Sequence, residues 1–363
     1  MVNNDKFQMR TDLAIEAREM YVDADKEEQE IEGVTFIERK IKGYSVTDVR
    51  VDETGQDKIN KKAGRYLTLE TNAIKNSDSD DQQKTAQVLA ILITDLLKEH
   101  HLKESDSCLV VGLGNAYVTP DALGPETVKK ILVTKHLFAY QPEMVADGYR
   151  SVAAFAPGVM GVTGIETSDI IQGLINEVKP NFIIAIDALA SRGIDRVNTT
   201  IQLSDTGIHP GSGVSNKRKE LSYETYGIPV ISIGVPTVVD AVTITSDTID
   251  YVFKHFGREL KESHRPSKRL APASLAFGEK KLTDEDMPKQ EKKTELFGMI
   301  GTLEEGEKRQ LIKEVLHPLG YNLMVTPKEV DSYIHDLGHL IASGINNALH
   351  TNVDSRFPNH YTR

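Results

Sequence analysis

Short apolar runs alternate along the middle of the chain with segments whose apolar residues recur every three or four positions. The runs predict buried strands at 107–112, 151–155, 182–187, 196–203 and 229–235. The recurring stripes predict helices at 88–97, 128–136 and 167–178. Such an alternation of strands and helices is typical of an α/β fold with a mostly parallel sheet covered by helices on both faces.

Three segments outside this region have a different character. Residues 1 to about 32 are polar, and residues about 33–75 alternate in places, which predicts a small β-rich appendage. Residues about 258–295 are rich in Lys, Glu, Pro and Ser, which predicts a surface excursion. On a predicted last helix, His335 and His339 lie four residues apart. A solvated helix face is the favoured interpretation, because no third zinc ligand is evident.

Composition and charge narrow the classes of function. The 363 residues carry a formal net charge of −11, which argues against a general nucleic-acid-binding surface. The single cysteine, Cys108, rules out an internal disulfide and a Cys-based zinc site. The N-terminus has no apolar signal core, and no stretch is long enough to span a bilayer. We therefore expect a cytoplasmic protein without membrane contact.

Two aspartates follow predicted buried strands in matching positions. The first run leads through Gly112 and Gly114 into a loop with Asp121, and the run 182–187 ends on Asp187. Either aspartate alone could be structural, by capping a helix or accepting backbone N–H groups. Together they favour acid–base or metal chemistry, because active sites of parallel sheets lie at the carboxyl ends of the strands. Two close carboxylates would repel each other, leaving one acid and one base at neutral pH.

The glycines around the first aspartate have other interpretations. Gly112 and Gly114 begin like a dinucleotide fingerprint, but the third glycine is missing and Tyr117 would obstruct helix packing. A sharp backbone turn beside a site explains them better, and these glycines or the loop 157–164 could offer N–H groups to an oxyanion. His209 begins a Gly-rich stretch that is either a phosphate cradle or a flexible loop, and it is a further candidate for lining the site.

Several long strings resemble one known family. They cover 110–125, 157–169, 182–192, 205–224 and 234–250, and they resemble the germination protease family of spore-forming bacteria. The resemblance implies a three-layer α/β/α sandwich similar to the hydrogenase-maturation proteases. It implies that Asp121 and Asp187 are the catalytic pair. It also implies an endopeptidase that starts the degradation of small acid-soluble spore proteins during germination.

The segment 10–16 resembles a site that this family cleaves. It reads Arg-Thr-Asp-Leu-Ala-Ile-Glu, matching an acidic residue, a large apolar residue, Ala and, after one more residue, Glu. The resemblance implies a zymogen that cleaves itself between Asp12 and Leu13, with 1–12 as propeptide and 13–363 as a single protease domain. Met9 departs from the family, which prefers an acidic residue there. A tethered segment compensates through its high effective concentration.

The same resemblance bears on partners and cofactors. It implies a homotetramer located in the forespore and spore core. We expect no cofactor and no direct nucleic-acid partner, although the matching positions of the maturation proteases bind a metal. Two alternatives stay open. One is a metal-dependent maturation-type peptidase that uses Asp121, Asp187 and His209, and the other is a non-catalytic α/β protein whose glycine loops bind a small anion.

Overall fold

The computed structural model describes residues 11–24, 31–209, 219–262, 282–316 and 323–353. These residues belong to two compact units. The larger unit comprises the described residues between 11 and 239 and between 326 and 353, and the smaller unit comprises the described residues between 240 and 325. The single domain over 13–363 stays a prediction, because compactness alone does not decide whether the two units fold separately.

A mixed sheet forms the centre of the larger unit. Its strands are β1 (Val34–Ile41), β2 (Tyr44–Val51), β3 (Gly64–Glu70), β4 (Cys108–Gly112), β5 (Val152–Phe155), β6 (Phe182–Ser191), β7 (Thr200–Ser204) and β8 (Val230–Asp240). They lie in the order β1-β2-β3-β7-β8-β6-β4-β5. Strands β8, β6, β4 and β5 pair in parallel, whereas the pairs from β1 through β7 to β8 are antiparallel. The predicted mostly parallel sheet therefore occupies only one half.

The β-rich segment predicted at about 33–75 is confirmed in its strands. These strands extend the central sheet, because β3 pairs with β7. The turn between β1 and β2 has positive φ at both Lys42 and Gly43. Two consecutive positive φ angles are the turn geometry whose twist matches an antiparallel hairpin, which explains why β1 and β2 pair in antiparallel fashion.

Helices of the larger unit cover its sheet on both faces. In chain order, the helices of both units are α1 (Ala14–Ala24), α2 (Glu53–Ile59), α3 (Ser79–Glu99), α4 (Leu123–Val128), α5 (Lys135–Tyr140), α6 (Met160–Thr163), α7 (Thr167–Val178), α8 (Tyr223–Tyr226), α9 (Ala241–Glu262), α10 (Gln290–Phe297), α11 (Met299–Thr302), α12 (Glu305–Leu316) and α13 (Val330–Leu349). Along β4, Cys108 and Val110 pack with α3 and α13, whereas Leu109 and Val111 pack with α7. The predicted α/β fold with helices on both faces is thus confirmed.

The helix predicted over 128–136 is wrong in its middle. Helix α4 ends at Val128 and α5 begins at Lys135. Between them, the N–H of Leu132 donates to Asn346 Oδ1 at 2.9 Å and the N–H of Thr134 donates to the Val152 carbonyl at 2.9 Å. Bonds to other elements satisfy this backbone, so its apolar spacing does not produce a helix.

The smaller unit contains α9 to α12 and a short strand, β9 (Met324–Val325). Of the surface excursion predicted at about 258–295, residues 258–262 end α9 and residues 290–295 belong to α10. Residues 263–281 lie outside the described residues. Among the residues that the structure describes, no helix has the length and apolar character needed to cross a membrane.

Candidate active site

Asp187 lies on β6 at the level where β4 ends. The last residue of β4, Gly112, pairs with Ile186, so Asp187 is the first residue of β6 beyond that pairing. The prediction that this strand ends at the aspartate is wrong. Strand β6 continues to Ser191, because its pairing with β8 continues. The carboxylate is 6% exposed, and its Oδ1 accepts the N–H of Ala188 at 2.9 Å.

Asp121 is held in a short 3-10 turn after β4. Its Oδ2 accepts the N–H of Asn115 at 2.8 Å. The loop is fastened on both sides, since the N–H of Leu113 donates to the Ile186 carbonyl at 2.7 Å and the Thr237 hydroxyl donates to the Pro120 carbonyl at 2.7 Å. Both aspartates are therefore carried to the edge of the sheet at which β4 ends.

The two glycines of the turn allow close backbone approaches. Gly114 has a φ of +108°, and a Cβ placed there would lie 2.0 Å from the Asp121 carbonyl oxygen. A Cβ on Gly112 would lie 2.2 Å from the Gly124 carbonyl oxygen. Only glycine fits either position without displacing the loop that holds Asp121. Their service as N–H donors to an oxyanion stays a prediction.

The predicted cleavage bond lies against the end of the Asp187 strand. The N–H of Asp12 donates to the Ala190 carbonyl at 3.1 Å, and the N–H of Ala190 donates to Asp12 Oδ2 at 2.8 Å. The Lys61 ammonium donates to the Thr11 carbonyl at 2.9 Å. Burial lowers the pKa of Lys61, while the Asp12 and Glu16 carboxylates act in the opposite direction. The bond between residues 12 and 13 is thus held on the same strand as one candidate catalytic aspartate.

One side chain contacts the main chain on both sides of that bond. Nε2 of Gln202 donates to the Asp12 carbonyl at 3.1 Å, and its Oε1 accepts the N–H of Ala14 at 2.7 Å. Gln202 lies on β7 and is 8% exposed. Its amide therefore bridges the residues before and after Leu13 from a buried strand.

The residues after the bond are enclosed. Leu13 is 0% exposed and packs with Ile15 and Leu189, with Ile208 alongside. Ala14 is also 0% exposed, in a cluster formed mainly by β2 and neighbouring residues. A large apolar side chain and then a small one are therefore enclosed directly after the predicted cleavage bond.

Glu16 is a buried carboxylate with a complete set of donors. Its Oε2 accepts the N–H of Arg192 at 2.8 Å, and its Oε1 accepts the N–H of Gly193 at 2.9 Å. The Thr11 hydroxyl donates to it as well, and Arg196 Nε lies 3.7 Å from Oε1. A carboxylate with several charge-assisted donors is bound strongly and with defined geometry. These donors, most of them in the loop after β6, hold the glutamate that lies four residues beyond the bond, and we call them together the Glu16 receptor.

The other candidate residues are histidines, and the role of His209 in lining the site stays a prediction. His209 is exposed and its Nε2 lies 3.4 Å from Glu220 Oε2. His335 is exposed, and its ring contacts that of His339 at 4.6 Å between centroids. In the parts of the chain that the structure describes, no group of three or more His, Cys, Asp or Glu residues could hold a metal ion.

The sequence alone did not single out the residues that contact the segment. Gln202 and the loop residues Arg192, Gly193 and Arg196 carry no motif. A signal was present for the first, because Gln202 stands between Ile201 and Leu203 in a predicted strand. A polar amide among apolar strand residues needs buried hydrogen-bond partners.

Comparisons with known proteins place the chain in a family. A family model described as germination protease matches residues 14–362. A germination protease of Oceanobacillus iheyensis is 61% identical over 351 residues, covering 96% of each chain. A germination protease of Bacillus mycoides is 58% identical over 358 residues, covering 98% of each chain. A NiFe hydrogenase maturation protease, HycI, from Thermococcus kodakarensis matches 40% of this chain and 80% of its own, with 19% identity and a TM-score of 0.26. On the family model and these relatives, the chain belongs to the germination protease family.

Proposed function

We propose that the chain is an endopeptidase that starts the degradation of small acid-soluble spore proteins during germination. It cuts after Glu or Asp and before a large apolar residue followed by Ala. One observation carries the proposal: the chain's own segment with this pattern is bound on the strand of Asp187, with Asp12, Leu13 and Glu16 each contacted. Free substrates take the same place when the segment leaves it.

The proposed chemistry uses Asp121 and Asp187 as general base and general acid. One carboxylate removes a proton from a water molecule, whose oxygen bonds to the carbonyl carbon before the cut. The carbon–nitrogen bond then breaks, and the protonated carboxyl gives its proton to the departing nitrogen. The products are a carboxylate and an amine, and no covalent acyl-enzyme forms.

The chain is proposed to be made as a zymogen. Residues 1–12 keep it inactive until dehydration and acidity in the forming spore allow cleavage between Asp12 and Leu13. Two observations support this proposal. Leu13 is buried, and Gln202 bonds the main chain of Asp12 and of Ala14 on either side of it, so this bond is held in one conformation. An intact chain that cleaves peptides as fast as the trimmed chain would contradict the zymogen.

A direct test uses protein that starts at Leu13 and a peptide containing Glu-Ile-Ala-Ser-Glu, with products identified by mass spectrometry. A single cut between Glu and Ile is expected. Asp121→Asn and Asp187→Asn should each abolish it while the protein stays folded. Asp169→Asn is the matched control, because that carboxylate is exposed and pairs with Lys219. Undiminished turnover in either active-site variant would remove the aspartate mechanism.

The same assay separates the metal-dependent alternative. We propose no cofactor, so a chelator should leave the rate unchanged, whereas chelator-sensitive cleavage would favour a metal held by Asp121 and Asp187. We also propose a homotetramer in the cytoplasm of the forespore and in the spore core. Light scattering tests the assembly, and fractionation of spores tests the location.

A further inference from the structure

We propose that Gln202 is a further catalytic residue of this reaction. Its side-chain amide holds the peptide on both sides of the bond that is cut and donates a hydrogen bond to the carbonyl that is attacked. The inference rests on the proposed cleavage between Asp12 and Leu13. It assigns a role that the candidate aspartate pair leaves unfilled, namely stabilisation of the charge that develops on the carbonyl oxygen.

The contacts define the orientation of the amide. The Asp12 carbonyl offers only an acceptor and the Ala14 N–H only a donor. If the amide were turned over, its oxygen would face a carbonyl oxygen and its NH₂ would face an N–H group. One orientation therefore satisfies both partners, and Nε2 is the atom on the carbonyl.

The position of Gln202 in the sheet relates it to Asp187. Gln202 on β7 and Asp187 on β6 both pair with Gly234 on β8, one from each side. Residues at the same register share a face of the sheet, so the two side chains lie about 10 Å apart at ordinary strand spacing. The Leu189 side chain fills the space over Gly234, and Leu13 packs on it. Leu13, the residue after the cut, thus lies between β6, which carries Asp187, and β7, which carries Gln202.

This geometry suits a donor that acts on the transition state. Attack by water turns the carbonyl oxygen into an oxyanion, and a hydrogen bond to it strengthens as the negative charge grows. Gln202 neither gains nor loses a proton during the reaction. Its strand pairs with Thr68 on β3 and Gly234 on β8, so the amide is held in place before the reaction begins. Such preorganisation is what makes a donor effective.

The contacts also explain how different substrates are accommodated. Among the described residues, the Gln202 amide bonds main-chain atoms only, so it fixes the register of the peptide without contacting its side chains. Side-chain preference is then left to the Leu13 enclosure and the Glu16 receptor. The same amide should serve the propeptide and every separate substrate.

The first experiment follows self-cleavage of the full chain in concentrated osmolyte at about pH 6, well above the ordinary Glu pKa of about 4.3, so that a carboxyl group at position 202 is ionised and cannot donate. Gln202→Glu keeps an acceptor for the Ala14 N–H but loses the donor to the carbonyl. Removal of one such donor typically lowers the rate about 100-fold to 1,000-fold, and we expect a loss in that range. Gln172→Glu is the matched control, since its amide donates to Asn176 on the same helix, and this variant should cleave at the wild-type rate.

The second experiment measures KM and kcat separately. It removes a hydrogen-bond donor from the peptide and leaves the acceptor oxygen of Gln202 in the wild-type protein. Protein starting at Leu13 is given a peptide copying residues 8–17, and the same peptide with an ester in place of the Leu–Ala amide, which removes the Ala14 N–H. The ester should raise KM about tenfold for the wild type, as expected for loss of one hydrogen bond. It should change KM little for Gln202→Ala, whose acceptor is already gone. Gln202→Glu places an oxygen opposite the Asp12 carbonyl oxygen, so it should raise KM as well, but the larger loss should be in kcat, because the lost hydrogen bond is strongest to the oxyanion.

The outcomes distinguish the two proposals. If the wild type cuts neither itself nor the peptide, the proposed function fails and the role of Gln202 fails with it. If the wild type cuts and Gln202→Glu cuts within threefold of it, about the change of a minor contact, only the inference about Gln202 is overturned. Thermal unfolding of each variant establishes that lost activity does not reflect lost structure. If Gln202→Ala does not fold, the kcat of Gln202→Glu and the ester effect on the wild type still decide.

Discussion

Asp12 and Ala190 are joined by two hydrogen bonds, one through the main chain of Asp12 and one through its carboxylate. The residue before the predicted cut is therefore fixed at both its backbone and its side chain. Ala190 belongs to the strand of Asp187, three positions further along. Under the proposed function we expect a preference for an acidic residue before the cut, because a carboxylate is a strong acceptor for the Ala190 N–H.

Shortening or neutralising this side chain should slow self-cleavage. Asp12→Ala leaves the Ala190 N–H without its carboxylate acceptor, and we expect the rate of propeptide removal to fall about 10-fold to 100-fold, which corresponds to a charge-assisted hydrogen bond. Asp12→Glu keeps the acceptor and should remain within a few-fold of the wild type. Electrophoresis over time measures both. Equal rates for Asp12→Ala and Asp12→Glu would show that the carboxylate has no part.

The glutamate four residues after the cut should be coupled to Arg196. Glu16→Gln removes the charge that Arg196 and two backbone N–H groups surround, and we expect kcat/KM for a peptide with the same change to fall about tenfold or more. Arg196→Gln should lower kcat/KM for the peptide with Glu at this position, but much less for the peptide with Gln there.

This four-way comparison measures the interaction between the two side chains directly. Additive losses would mean that the backbone N–H groups alone read the glutamate. Glu19 also pairs with Arg196, at 2.7 Å, so Glu19→Gln is the control for effects on the arginine itself.

Gly114 should tolerate no side chain. A methyl group there would meet the Asp121 carbonyl oxygen at 2.0 Å in a backbone with a φ of +108°. We expect Gly114→Ala to lower the free energy of unfolding by about 1–3 kcal/mol, and to lower peptide turnover about 100-fold by displacing Asp121. Gly173→Ala is the matched control, because a Cβ there meets no atom within 4 Å and α7 is helical. Calorimetry and the peptide assay report the two effects.

Stability should fall with acidity through His350. This residue is 0% exposed, and its Nδ1 accepts the N–H of Arg150 at 3.2 Å while its Nε2 lies 3.3 Å from the Leu132 carbonyl. Burial, aided by the charge of Arg150, lowers the pKa of His350 to about 4 from the ordinary 6.5. The unfolded chain therefore binds the proton first as the pH falls.

The stabilisation from neutral His350 is fully present above pH 6.5 and is lost between 6.5 and about 4. The loss is about 3 kcal/mol at its limit. His350→Asn should flatten the dependence of the unfolding midpoint on pH in this window. His335→Asn, at an exposed position, should leave that dependence as it is. An unchanged slope in His350→Asn would assign the acid sensitivity to other groups.

The parallel half of the fold was predicted well from the sequence, because its central strands are continuous apolar runs. Strands β4 and β6 and the positions of Asp121 and Asp187 followed from runs such as 182–187, whose continuous apolar character is typical of a strand buried between two layers. The attachment of the β1–β3 strands to the rest of the sheet depends on pairing between β3 and the distant β7, which local periodicity does not encode. The break between α4 and α5 likewise follows from bonds that Asn346 and Val152 make to that backbone.

The aspartates were predictable because a carboxylate after an apolar run is conspicuous. Gln202 was not, because its meaning depends on a segment nearly 190 positions away in the chain. The receptor for Glu16 is built mainly from main-chain N–H groups, which every residue but proline possesses. No residue-type pattern reports such a site.

Burial of Leu13 and Ala14 has a kinetic consequence. After the proposed cut before Leu13, the enclosed residues Leu13 and Ala14 remain part of the chain that forms helix α1 (Ala14–Ala24). A tethered occupant competes at an effective concentration of about millimolar, and dilution does not weaken it as it would a diffusible inhibitor. The rate at which this helix lifts away then limits how soon the first foreign peptide enters, and a lag before steady turnover is the signature to expect.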